Sequence, residues 1–381
     1  MSMIRRIAAT ALSICLCAVL PVATSVADQG DLGARLDSAI AAKVAEMGVP
    51  GAIVGIVVPG EIDYLTAVGV GDTATGMPMT VDEHTRIGSV TKTFTGTAVL
   101  QLVDQGRIRL DDPISAYVDG VPSGDAITLD MLGRMRSGLF DYTQDDEWLS
   151  RVYLEAPSGP DAFAFTPQQV LDIAFSHPSN FAPNGDYQYS NTNTVLLGLV
   201  VERVTGLPIG DFLQQNIFDR LQLTQTSFPR NGLMPAPFPR GYTRAPDGKV
   251  VDAALWNPSW ADAAGAIVST YADLRTWASA LGRGTLLSPQ TQARRLEDPS
   301  AAAPGAGYSF AIFDTHGWIG HNGDIPGYTT VLVYLPERDA TLVVMVNSDV
   351  PENHSAGQIA EVVTTVVTPD HVYDLAHATP I

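Results

Sequence analysis

Leu32, Leu36, Ile40 and Val44 recur every fourth residue, which places them on one face of a helix, and Gly48 and Pro50 mark its end. Two apolar, β-branched runs follow, residues 52–58 and 62–70, separated by Pro59-Gly60-Glu61; they read as a strand hairpin. A helix opens at Ser89, carries Val99, Leu100, Leu102 and Val103 on its apolar face and stops at Gly106. Gly96 inside it costs about 1 kcal/mol against alanine, so close packing must compensate. From about residue 111 to 262 the pattern mixes short helical stretches with Pro- and Gly-rich loops. One helix starts at Thr166-Pro167, another runs from Asn191 to Gly206, and a third follows Thr270. The last third changes period: residues 308–314, 328–335 and 340–347 read as strands, residues 317–320 are strand-like, and residues 355–367 form a final helix. Strands at both ends with helices between them predict an α/β fold of the α+β type. Its antiparallel sheet is built from the two chain ends, as a lobe of about residues 31–110 and 265–381. A mostly helical lobe of about residues 111–264 is inserted.

The N-terminus has another character. Arg5 and Arg6 precede an apolar run over residues 7–22, and Ser25-Val26-Ala27 offers small residues for cleavage, so residues 1–27 read as a secretory signal peptide. Both cysteines, Cys15 and Cys17, fall inside it. The mature chain is then expected to lack disulfides, thiol nucleophiles and thiolate metal sites, in a secreted, periplasmic or cell-wall location. The chain carries 22 basic and 41 acidic residues, a formal net charge of −19, and losing Arg5 and Arg6 takes it to −21. Such a surface repels nucleic acid and anionic lipid. No later stretch is long and apolar enough for a transmembrane anchor.

Three clusters carry candidate chemistry. Ser89-Val90-Thr91-Lys92 holds one of only three lysines, and residues three apart on a helix share a face, so Lys92 can reach the Ser89 hydroxyl. A buried amine with a lowered pKa can take the proton of an otherwise weak serine nucleophile. About a hundred residues later comes Tyr189-Ser190-Asn191, and 130 further on His321-Asn322-Gly323. In order and spacing these boxes resemble Ser-x-x-Lys, Tyr-x-Asn and Lys/His-x-Gly of the serine penicillin-recognising (β-lactamase) family. That family includes D-alanyl-D-alanine carboxypeptidases, class C β-lactamases and related esterases. Ile127-Thr128-Leu129 with Ser137-Gly138-Leu139 also resembles family text, and the resemblance covers nearly the whole mature chain, residues 28–381, as a single catalytic domain.

The resemblance implies a β-lactamase/transpeptidase-like fold, an acyl-enzyme on Ser89 and no metal or organic cofactor. Lys92 and Tyr189 are the candidate bases; a phenol titrating near 10 needs cationic neighbours to serve as one. Asn191 can bond both Lys92 and a substrate amide. The oxyanion falls to the N–H groups of Ser89 and Asp324, and Gly323 is expected to leave room for substrate along the strand edge. His321 stands where many relatives have lysine; if its charge matters, activity falls as pH rises through about 6.5. Trp260, in the segment from Trp256, is a pocket candidate. The expected substrate is a small peptide, ester or β-lactam.

No arginine or lysine lies between Arg295 and His321, where carboxypeptidases hold a peptide carboxylate. D-alanyl-D-alanine carboxypeptidase activity is the leading expectation, with esterase or class C-like β-lactamase as runner-up and a non-catalytic cell-wall peptide or β-lactam binding protein as the rival from another class. Tyr-Ser-Asn replaces the Ser-Asp-Asn of class A β-lactamases. Gly307-Tyr308-Ser309-Phe310-Ala311 is a weak nucleophile elbow, and His177, His316 and His321 lack zinc-site spacing.

Overall fold

The computed structural model describes residues 26–154, 163–351 and 353–375. The proposed signal segment therefore lies almost wholly outside the described residues, as do both cysteines.

Nine strands form one antiparallel sheet: β1 (Gly51–Val58), β2 (Ile62–Asp72), β3 (Met77–Pro78), β4 (Ser300–Ala303), β5 (Ala306–Tyr308), β6 (Phe313–Thr315), β7 (Trp318–Ile325), β8 (Tyr328–Leu335) and β9 (Ala340–Val346). Their order is β3-β2-β1-β9-β8-β7-β6-β5-β4, so the two ends of the chain meet where β1 pairs with β9, Val54 opposite Val344. Both of these strands are buried on both faces, which is why they are apolar runs broken only by Thr341. Their side chains still alternate between two cores. Ala52, Val54, Ile56, Leu342 and Val344 face α1 (Val26–Met47) and the C-terminal helix Ser355–Val367, through Leu36, Ile40, Ile359 and Val363. Ile53, Val343 and Met345 face the other way, toward the helix Tyr271–Arg283 and the larger core beyond.

That second core centres on α2 (Thr91–Asp104), buried along nearly its whole length, and α3 (Asn191–Thr205). A β-carbon at Gly96 would sit 2.5 Å from the Ala311 β-carbon, so the packing its position demands is with the Ala311 turn. Gly206 ends α3 in a left-handed conformation, and Thr166 caps its helix with a full capping box to Gln169.

Residues 308–314 are not one strand. β5 ends at Tyr308 and β6 begins at Phe313, because Phe310 and Ala311 turn inward. The Ala311 N–H bonds the Gly133 carbonyl at 2.8 Å, its φ is +58°, and Phe310 is fully buried against Gly133. Tertiary contact overrides the local strand pattern here. It also leaves Ser309 buried, with no helix after it, so the nucleophile-elbow geometry is absent. Among the described residues no helix is long and apolar enough to cross a membrane.

One detail of the sheet positions the site. β6 pairs only with Trp318–Gly320 of β7, while β8 covers residues 319–325 on the other side. From His321 onward β7 has one edge without a strand partner. The 3₁₀ turn Gly88–Val90 packs there: a β-carbon on Gly88 would lie 2.8 Å from the Asp324 nitrogen.

Candidate active site

Ser89 sits in that turn, and α2 starts two residues later, so Lys92 points back beneath it. Lys92 is fully buried, with Nζ 2.8 Å from Ser89 Oγ, 2.7 Å from Asn191 Oδ1 and 2.9 Å from the Ala264 carbonyl. Burial pulls its pKa down to about 7, and the Asp141 carboxylate limits the fall. The three neighbours suit a neutral amine. Asn191 Oδ1 and the Ala264 carbonyl can only accept, so they take its two hydrogens, and its lone pair faces the one neighbour able to donate, the Ser89 hydroxyl.

Asn191 is the first residue of α3 and not its cap, since Ser190 precedes it. Its Nδ2 donates to Asp141 Oδ2 at 3.0 Å, and its backbone N–H reaches the same oxygen at 3.1 Å. One amide hydrogen is therefore held by Asp141, and the second faces Thr143 Oγ1 at 3.5 Å on the cleft wall. Asp141, whose carboxyl burial pushes up, also accepts from the Thr143 N–H and hydroxyl. It follows directly on Ser137-Gly138-Leu139-Phe140, yet the sequence reading passed over it: a lone aspartate in a loop carries no signal until the fold sets it beneath Asn191.

Tyr189 is half-buried beside Lys92, whose Nζ lies 4.9 Å from the ring centroid, and its hydroxyl is buried. Burial raises its pKa well above 10; the Ser89 hydroxyl is the one neighbour favouring ionisation, though the two do not reach hydrogen-bond geometry. The phenol is neutral here, so the expected phenolate is not supported by its surroundings.

His321 departs further from expectation. It is fully buried behind the site, within an aromatic cage of Tyr189, Tyr308 and Phe313. Nδ1 donates to the Asn322 carbonyl, and Nε2 accepts from the Tyr308 hydroxyl at 3.2 Å. Burial, reinforced by the Lys92 charge, pulls its pKa to about 3. This environment disfavours a charged His321 near neutrality, against the expectation of an activity loss tied to its deprotonation near pH 6.5.

Gly323 is also required by the fold itself. A β-carbon there would lie 2.0 Å from the Ile87 carbonyl and 3.1 Å from the Ser89 nitrogen, so it would strike the turn that carries the serine. Asp324 keeps its backbone against the same turn, and its side chain lines the cleft. The residue itself is exposed to the cleft.

The cleft above Ser89 encloses about 210 Å³. Asn191, Thr143 and Asp324 supply polar wall; Trp260, Trp148 and Tyr153 supply aromatic wall. Trp260 thus stands where expected, its ring edge-on to Trp148 at 4.9 Å, while its carbonyl accepts from the Tyr142 hydroxyl. Trp148 and Tyr153 were missed: tryptophans and tyrosines far apart in sequence read as packing residues. None of the described residues lining the cleft is arginine or lysine. Among the described residues no group of three or more His, Cys, Asp or Glu could hold a metal.

Comparison with known proteins agrees with this geometry. The esterase EstB of Burkholderia gladioli is 34% identical over 197 residues, covering 50% of this chain and 49% of that protein. A D-stereospecific amidohydrolase from Streptomyces sp. superposes with a TM-score of 0.78 at 30% identity, covering 88% of this chain and 99% of that one. A D-amino acid amidase from Ochrobactrum anthropi, solved with L-phenylalanine amide, gives 0.78 at 28% identity over 89% and 99%. The chain spans about half the length of the first curated relatives it matches. The model of the β-lactamase family matches residues 36–364, from the first helix of the sheet lobe to the last, and the chain belongs to that family.

Proposed function

We propose that the protein hydrolyses small amides or esters through an acyl-enzyme on Ser89. The observation that carries this is Lys92 Nζ, fully buried, near pKa 7 and 2.8 Å from Ser89 Oγ. Neutral Lys92 takes the hydroxyl proton as Ser89 Oγ bonds the substrate carbonyl carbon. The N–H groups of Ser89 and Asp324 receive the oxyanion. The bond to the leaving group breaks, and the leaving amine or alcohol gains its proton from Tyr189 or protonated Lys92. Water then cleaves the ester by the reverse sequence, releasing the acid.

The cleft favours the runner-up over the leading expectation. A carboxypeptidase must hold a free carboxylate, and the described wall offers Asp324 and no cation. Relatives named esterase, D-stereospecific amidohydrolase and D-amino acid amidase support a substrate without that carboxylate. The N-terminal segment, with its arginines and apolar run, supports export.

The test is intact-mass measurement after mixing with a p-nitrophenyl ester and, separately, penicillin, using wild type and Ser89→Ala. An adduct on the wild type alone is expected, with ester and D-phenylalanine amide turned over faster than D-alanyl-D-alanine peptides. An adduct or full turnover with Ser89→Ala overturns the acyl-enzyme. Stoichiometric acylation without turnover of any ester, amide or peptide favours a binding protein.

A further inference from the structure

The reading of Ser89 and Asp324 as oxyanion donors leaves a question of aim. The Asp324 N–H belongs to the same planar unit as the Gly323 carbonyl, so whatever holds that carbonyl also orients the N–H. Gly323 lies in the part of β7 that has no strand on its site-facing edge, so the ladder restrains this peptide from one side only.

His354 supplies a further restraint from a distant part of the chain. Its Nε2 lies 3.1 Å from the Gly323 carbonyl oxygen. Its Nδ1 lies 3.0 Å from the Gly357 nitrogen, in the first turn of the C-terminal helix. A backbone N–H can only donate, so Nδ1 accepts and the ring proton sits on Nε2, directed at the Gly323 carbonyl. The helix terminus thus sets the tautomer. Burial lowers the His354 pKa to about 4, so this neutral form persists through the working range. The backbone is left-handed at His354, φ +51°, an arrangement uncommon for a residue with a side chain and concentrated at functional sites.

We propose that His354 is a positioning residue of the oxyanion hole, holding and polarising the Gly323–Asp324 peptide through its Nε2–H. A hydrogen bond accepted by an amide carbonyl strengthens the N–H of the same amide as a donor. The gain is felt as negative charge grows on the substrate oxygen, so it raises kcat and leaves KM nearly unchanged.

His354→Asn separates this role from capping. Asparagine tolerates a left-handed backbone and accepts a bond from a helix N-terminus, but its amide is too short to reach Gly323. With a p-nitrophenyl ester, well below the melting temperature of both proteins, kcat should fall about tenfold or more while KM stays within about twofold. Inhibition by phenylboronic acid, which forms a tetrahedral adduct on Ser89, should weaken by the same factor. His354→Gln, whose longer amide can donate to Gly323, should recover part of kcat. Wild-type kcat in His354→Asn, a loss confined to KM, or unchanged boronate affinity overturns the proposal. Ser89→Ala runs in parallel: if it stays active, the acyl-enzyme reading falls; if it is inactive while His354→Asn matches wild type, only the role of His354 falls.

Discussion

Lys92 and His321 are both basic, both fully buried and both part of the boxes that flank Ser89, yet their surroundings treat them oppositely. Lys92, in the first turn of α2, reaches toward α3 with three oxygen neighbours within 2.9 Å and the Asp141 carboxylate nearby. Desolvation lowers its pKa, and the Asp141 carboxylate limits the fall to about 7. His321, in β7, projects among three aromatic rings, with the Lys92 charge opposing its own, and its pKa falls to about 3. Position within a motif names the residue type; the polarity of the cavity around it decides whether a proton can be moved there.

The largest effect should come from the amine. Lys92→Met keeps the volume and removes the base, and acylation by a p-nitrophenyl ester should fall about 10³-fold or more, as should Ser89→Ala, with the double variant no worse than either. Stopped-flow acylation of Lys92→Met within tenfold of wild type would erase the distinction between the two basic groups.

Gly323→Ala tests the contact between the His321 strand and the Ser89 turn. Its new methyl group meets the Ile87 carbonyl, so β7 or the Ser89 turn must shift, and the two oxyanion donors part. A fall of about 10²-fold in kcat is expected, with soluble folded protein by circular dichroism.

Tyr189→Phe removes a buried hydroxyl that has no hydrogen-bond partner, so the melting temperature should hold or rise. Leaving-group protonation should suffer, lowering kcat about 10²-fold. A large loss of stability would show that the hydroxyl is satisfied in solution.

The pH profile sharpens the comparison at lower cost. Lys92 accepts a proton only when neutral, so the acylation rate should rise with pH up to about 7 and then level, losing about tenfold per unit below. That is the opposite slope to one governed by a charged histidine. His321→Phe should leave this limb in place, while stability drops about 1–3 kcal/mol because the Tyr308 hydroxyl loses its acceptor. A limb that moves by a unit in His321→Phe would mean that the two groups titrate together.

Much of the fold was legible because its signals are local. The α1 stripe, the β1–β2 hairpin, β8, β9 and the helix after His354 follow from period, β-branched content and stop residues. The break between β5 and β6 was not, since it depends on Gly96 and Gly133, some two hundred residues earlier, accepting Ala311 and Phe310. Ser89 and Lys92 could be paired from sequence because one helical turn joins them. Asp141 and His354 could not: each acts through a hydrogen bond to another box, and no spacing along the chain encodes that bond.

The amino-acid sequence alone determined which functional groups this protein has and their family, since a serine, a lysine, a tyrosine and an asparagine in ordered boxes are covalent facts. Only the tertiary structure decided their states. Desolvation and the geometry of distant neighbours leave Lys92 near neutrality, keep Tyr189 and His321 uncharged, set Gly323 against the serine turn and leave the described cleft wall without a cation. Those depend on which atoms share a cavity, and that is settled when the two chain ends close the sheet around the helices.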